Sequence, residues 1–242
     1  MLTVGGRRFH LICGHRSGPE LHSLLSGYRT LKRVSLHNIW FEDDSPTAPA
    51  TSERVSASAV EDLDVWNLSA DVVASILDTF TAVDITHLRS LTFFNTPFTR
   101  LLSANVSSLL CLQFSIFNTS LEGLPETSDL QILANATKLC GIVCNIYFPF
   151  TKASVVGLLS IPSMNQHLET IELVFIESDS FSCPVREWLD FDSHLSKHDE
   201  FPRLSRVQIS LYLIDPTVQE MDFRQWLPSL SGRGILHVDY CI

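Results

Sequence analysis

The 242-residue chain lacks any apolar run long enough to cross a bilayer, which takes about 20 residues. Met1–Gly14 holds Arg7 and Arg8 but no apolar core ending in small residues, so it does not read as a secretory signal. Positive charge is scarce. Lys and Arg number 17 against 27 Asp and Glu, a formal net charge of −10, and nucleic-acid backbones demand the opposite balance. No G-x-S-x-G elbow, phosphate-binding loop or dinucleotide glycine fingerprint is present. Together these absences point away from membranes, nucleic acid, the common hydrolase signatures and bound cofactors. They make cytoplasm or nucleus the expected location.

Metal chemistry finds little support either. Of the six cysteines, Cys140 and Cys144 lie four apart on or beside one strand. No further ligand sits at short spacing, so buried small hydrophobes are the expected role. His194 and His198 have helical i, i+4 spacing, but no Glu follows His194 to complete a metalloprotease pattern. A polar face shared with Lys197 and Asp199 is the plainer reading. Asn67-Leu-Ser, Asn105-Val-Ser, Asn118-Thr-Ser and Asn135-Ala-Thr are glycosylation sequons by pattern. In a chain rich in Ser and Thr such triplets arise without use.

What the chain does have is apolar content of 45% with only 18% charged residues, enough for a sizeable core. That content is periodic. His167–Phe175 carries Leu168, Ile171 and Leu173 in the pattern L-x-x-L-x-L, whose last positions alternate like a half-buried strand. The same pattern fits Leu31/Val34/Leu36, Val60/Leu63/Val65, Leu88/Leu91/Phe93, Leu109/Leu112/Phe114, Leu139/Ile142/Cys144, Leu204/Val207/Ile209 and Ile235/Val238/Tyr240. Successive starts lie 29, 28, 21, 30, 29, 36 and 31 residues apart. One strand and one helix per repeat at such spacing is the signature of leucine-rich repeats. Asn38, Asn67 and Asn95 each follow the first apolar residue of their strand by seven. An asparagine there can satisfy the backbone of the turn, one residue earlier than the usual repeat pattern; ordinary turn chemistry explains it as well.

The segments between strands read as short helices. Glu20–Gly27 places Leu21, Leu24 and Leu25 on one face, and Ser69 can cap a helix from Ala70 to about Val83. Thr96-Pro97, Cys183-Pro184 and Asp215-Pro216 each put proline where a helix begins. Ser128 can cap Asp129–Ala136, and Thr151 opens Lys152–Ser160. The helix after Pro216, with Val218, Met221 and Trp226, closes at Gly232 and Gly234. Phe9–Cys13 reads as a partial first strand. Phe41–Ala59, acidic and then rich in Pro, Ala, Ser and Thr, interrupts the rhythm as a mobile insertion (41–59). Strand–helix alternation with short links implies parallel strands and right-handed crossovers. The expectation is a single irregular leucine-rich-repeat-like domain over 1–242, an α/β solenoid with a parallel sheet on the concave side and helices on the convex side.

Trp188-Leu189, Leu195, Phe201-Pro202-Arg203-Leu204 with Val207 and Ile209, Trp226-Leu227-Pro228 and Gly234-Ile235-Leu236-His237-Val238 resemble the tail of F-box/leucine-rich-repeat-like proteins of mushroom-forming fungi. The resemblance spans roughly Leu88 to the end. It implies the substrate-recognition region of a ubiquitin-ligase adaptor. The F-box that docks a Skp-type adaptor has no counterpart in these residues, so binding of that adaptor is expected only if an F-box exists elsewhere.

If the template holds, strand residues between the buried positions form rows on the opposite face. One row reads His37, Trp66, Phe94, Ser115, Asn145, Val174, Ser210, and its neighbour Ser35, Asp64, Thr92, Gln113, Val143, Glu172, Gln208. Trp66 and Phe94 become adjacent aromatics flanked by His37 and Asp64, an arrangement typical of interface anchors. The competing expectation is that the 41–59 insertion covers them. The expected function is protein recognition without catalysis, through an unidentified protein partner. The alternatives are a hydrolase using His and Asp/Glu at strand ends, and a secreted glycosylated binding protein.

Overall fold

The computed structural model describes residues 2–5, 8–16, 20–21, 24–25, 31–41, 58–69, 71–74, 83–85, 87–94, 99–116, 131–147, 166–176, 185–212 and 223–241. They fall into two compact units, Met1–Leu109 and Leu110–Ile242. Both are α/β units built on parallel strands with few helices.

In the first unit the strands are β1 (Leu2–Gly5), β2 (Arg8–Arg16), β3 (Arg33–Phe41), β4 (Ser58–Ala59), β5 (Asp62–Trp66), β6 (Val83–Asp84) and β7 (Ser90–Phe94), followed by helix α1 (Thr99–Asn105). Neighbours run β1-β2-β3-β5-β7, while β4 and β6 pair separately. From β2 to β7 every pairing is parallel, in chain order. Only β1 runs against its neighbour. Leu2–Gly5 carries no template triplet, so periodicity could not announce this strand.

In the second unit β8 (Cys111–Ile116), β9 (Gly141–Tyr147), β10 (Thr170–Ile176), β11 (Arg206–Tyr212) and β12 (Leu236–Cys241) pair in that order, all described pairings parallel. A 3-10 turn (Gln131–Asn135) and helices α2 (Val185–Leu195), α3 (Phe223–Trp226) and α4 (Pro228–Gly232) lie between them.

The template residues form the core. In each of the first seven triplets, from Leu31/Val34/Leu36 to Leu204/Val207/Ile209, every member is buried. They stand in register, Val34 beside Leu63 beside Leu91 in one unit, and Leu112, Ile142, Ile171 and Val207 in the other. Strands cannot bury one row of side chains without stacking such neighbours, so a recurring triplet becomes a continuous apolar layer.

The eighth triplet is placed differently. Repetition would set Val238 beside Val207, but Val207 pairs with Leu236 and Val238 with Ile209. A displacement of two residues keeps every side chain on its expected face, because the strand period is two. Periodicity therefore specifies the face of this strand but not its register.

Helix expectations fare unevenly. Ser69 caps its helix as its chemistry suggests: its hydroxyl accepts from Val72 N–H (3.3 Å), and Asp71–Ala74 is helical. Val83, expected at that helix's end, belongs to β6 instead. Within the expected helix Asp129–Ala136, the described residues Gln131–Asn135 form a 3-10 turn. Helix α2 runs to Leu195 as expected. The last helix is split, α3 ending at Trp226 and α4 starting at Pro228, because proline lacks the N–H that would continue the first helix. Gly234 then takes φ +70, a conformation that favours glycine. Helical pattern is present at Glu20–Leu21 and Leu24–Leu25. Lys152–Ser160, Ser128, Asn95, Asn118 and 42–57 lie outside the described residues.

One buried polar group stitches each unit. Asn105 accepts from Leu88 N–H (3.1 Å) and donates to Leu101 O (2.8 Å), fastening α1 to the start of β7. Asp192, buried in α2, accepts from the N–H groups of Ser229 and Leu230, both at 2.9 Å. These are orphan donors of α4, and a carboxylate at a helix start satisfies them with charge assistance.

Candidate partner-binding face

The alternation that buries Val34, Leu36, Leu63, Val65, Leu91 and Phe93 sends the residues between them to the other side of the sheet. The register in the first unit sets His37 beside Trp66 and Trp66 beside Phe94, with Ser35, Asp64 and Thr92 in the adjoining row. Both expected rows are thus real within each unit, since Ser115, Asn145, Val174 and Ser210 also align, as do Gln113, Val143, Glu172 and Gln208.

The rings form a ladder. His37 and Trp66 stack with centroids 5.2 Å apart and planes 26° from parallel. Trp66 and Phe94 stack at 4.7 Å and 14°. His10 closes the other end edge-on to His37 at 4.9 Å. His10 Nε2 is shielded from solvent and has no hydrogen-bond partner among the described residues. All four side chains are half-buried, which leaves each ring a solvent-facing margin.

Asp64 locks the ladder. One carboxylate oxygen accepts from Trp66 Nε1 at 2.5 Å and the other lies 3.0 Å from His37 Nε2. A carboxylate on Nε2 favours the tautomer with its proton there and leaves Nδ1 as an acceptor. The pair His37–Asp64 has the makings of a catalytic dyad, but among the described residues no hydroxyl or thiol hydrogen-bonds His37. A nucleophile would have to reach Nδ1 to make the dyad an acyl-transfer site.

Below the ladder, at the strand starts, charges pair across strands. Lys32 Nζ meets Glu61 (2.5 Å), Arg33 Nε meets Asp62 (2.5 Å) and Arg89 Nη1 stands 3.9 Å from Glu61. Each is at least one-third exposed, so each contributes at most about 1 kcal/mol. Their use is positional, since they set a charged rim beside an aromatic centre.

Above the ladder two asparagines turn the chain. Asn38 and Asn67 have φ of 52 and 51, the left-handed region that asparagine tolerates better than other side-chain-bearing residues. Asn67 Nδ2 donates to Asn38 Oδ1 at 2.8 Å, and Asn67 N–H bonds Phe94 O at 2.9 Å. The left-handed step reverses the alternation, so that Ile39 and Leu68 become buried directly after two outward residues. The expectation is a side chain that satisfies the backbone of the turn; the bond found here instead joins the two side chains from strand to strand.

The remaining candidates stay separate. Cys111, Cys140 and Cys144 are free thiols, and burial pushes the Cys144 thiol well above its usual range. Among the described residues no three His, Cys, Asp or Glu side chains gather as a metal site. Nor is any helix there long and apolar enough to cross a membrane. His194 lies edge-on to Phe201 at 5.5 Å and 3.9 Å from Glu200, while His198 is exposed. Asn105 is fully buried with its amide bonded at both atoms, which leaves no room for a glycan in the folded chain. Sequence reasoning did not include His10 in the site. The signal was available, because extending the Ser35 row to the strand at Phe9–Cys13 reaches it.

No protein-family model matches the chain, and no curated protein matches it.

Proposed function

We propose that this chain is an irregular leucine-rich-repeat-like solenoid serving protein–protein recognition, with His37, Trp66, Phe94 and Asp64 as its contact row. The reading rests above all on one observation: three stacked rings and a fourth set edge-on to them are pre-ordered on the sheet face opposite the core, half open to solvent. Side chains already fixed by stacking and by Asp64 lose little entropy when a partner arrives, which is how rigid anchors gain affinity. The ion-paired rim of Lys32, Glu61, Arg89, Arg33 and Asp62 supplies the polar surround such anchors have. By resemblance, the role is that of the substrate-recognition region of an F-box-type adaptor.

The test compares the wild-type chain with Trp66→Ala in affinity capture from the source cells. A protein retained in stoichiometric amount by the wild type should be lost with the variant, an effect of about 2–4 kcal/mol for an anchoring aromatic. Stability should fall by about 1–3 kcal/mol, because Trp66 leaves two ring contacts worth about 0.5–1.5 kcal/mol each. Equal capture by both chains, at equal folded fraction, would remove Trp66 from the contact row.

A further inference from the structure

Strand β12 is the last strand of its sheet, and among the described residues it pairs only with β11. The hydrogen bond from Val207 N–H to Ile235 O (2.8 Å) fixes which groups face which way. In a parallel ladder the odd-numbered residues of β12 then turn their backbone groups toward β11, and Leu236 and Val238 turn theirs to the open edge. On one face Leu236 and Val238 are only half-buried and Tyr240 is 39% exposed. The template triplet of this strand, Ile235/Val238/Tyr240, is also the one without a fully buried member among the described residues. On the other face stand His237, exposed, and Asp239, which accepts from Gln208 Nε2 at 2.9 Å. An open edge with an apolar row is a pairing site.

We propose that β12 pairs with β12 of a second copy of this chain, antiparallel, about a two-fold axis through Val238. The sequence of the strand is self-complementary in that register and directs the choice of occupant. Val238 faces Val238 of the second copy, Leu236 faces its Tyr240, and the apolar row continues across the axis. His237 faces Asp239 of the second copy, and the reciprocal pair repeats the contact. Because Val238 directs its backbone groups outward, it forms the hydrogen-bonded pair at the axis. His237 and Asp239 then fall at the non-hydrogen-bonded position, where opposite side chains stand closest. A two-fold interface is isologous, and a strand whose residues on either side of its centre complement one another meets that requirement. One six-residue strand pair buries less surface than the roughly 1,000 Å² of a stable interface, so the dimer forms at micromolar concentrations and exchanges.

Sedimentation velocity over a low- to high-micromolar series of the full chain tests this. The wild type should pass from monomer to dimer. His237→Asp, at an exposed position, sets carboxylate against carboxylate and should weaken the dimer at least tenfold at unchanged melting temperature. The double variant His237→Asp/Asp239→Arg restores opposite charges and should recover dimerisation. A thiol introduced by Val238→Cys should cross-link two chains under mild oxidation, beyond any background in the wild type. A wild-type chain that stays monomeric throughout the series overturns the proposal. So does a dimer indifferent to both the single and the double charge change.

Discussion

The two units use one template and place their largest ring clusters on opposite sides of it. In the first, His37, Trp66 and Phe94 stack on the face away from the core, half open to solvent. In the second, the corresponding row is Ser115, Asn145, Val174 and Ser210, all but closed to solvent and partly joined by side-chain hydrogen bonds. There the ring cluster lies inside: Trp188 is fully buried among Phe175, Phe191, Phe223 and Trp226. Aromatic area placed inside stabilises the fold, whereas the same area left at a sheet surface is available to a partner. Under the proposed reading, the first unit offers its rings for recognition while the second uses them for support.

The largest expected effect separates the two placements directly. Trp188→Ala should cost about 3–5 kcal/mol of unfolding free energy, as large-to-small core truncations do, well above the loss expected for Trp66→Ala. Denaturant titration of both variants measures this. Equal losses would show that Trp66 is core in all but position, and the contrast between units would fail.

A middle-sized effect concerns the left-handed asparagines, found among the described residues in the first unit alone. Asn67→Ala forces a β-carbon without a compensating amide into the left-handed region, at about 1–2 kcal/mol, and removes a hydrogen bond worth about 1 kcal/mol. Asn67→Gly should recover the conformational part, since glycine adopts that backbone freely. Thermal melts of the two variants are the measurement. If they coincide, the left-handed step contributes nothing and the hydrogen bond to Asn38 carries the whole effect.

The smallest effect belongs to the polar network of the second unit. Gln208 donates to Asp239 (2.9 Å) and Ser210 (3.1 Å) and accepts from Arg206 (2.6 Å), but it sits near solvent where water replaces each partner. Gln208→Ala should change stability by under about 0.5 kcal/mol. A loss several times larger, seen by the same denaturant titration, would make this face a structural element equal to the buried rings.

Much of this organisation was legible in the residues, and the physical reason is burial. An apolar triplet repeated at 28–30 residues, as from Leu31 to Val60 to Leu88, has few solutions other than stacked strands, and stacking then puts Trp66 beside Phe94. The Asp64 bridge was half legible. Spacing places Asp64 two residues before Trp66 on the same face, but the simultaneous bond to His37 depends on side-chain torsions that no pattern records. Register was illegible where the template lost its core: the shift of β12 costs no side chain its face, so nothing in the apolar pattern opposes it. The split at Leu227 was signalled by Pro228, a residue read as part of a family resemblance when its own chemistry was the better guide.

The carboxylate of Asp192 has a consequence for which elements can stand without others. Helix α4 is five residues long, far below the roughly 12–15 residues that hold together unaided in water. Its first N–H groups are satisfied by a side chain 37 and 38 residues earlier. The short helix therefore cannot persist before α2 is in place to receive it. Arg233 ties the same stretch back to Leu195 O and Leu204 O, each at 3.2 Å, and β12 follows directly. Stability at this end of the chain is thus conditional: α4 depends on the Asp192 carboxylate of α2, and β12 begins from the stretch that Arg233 fastens.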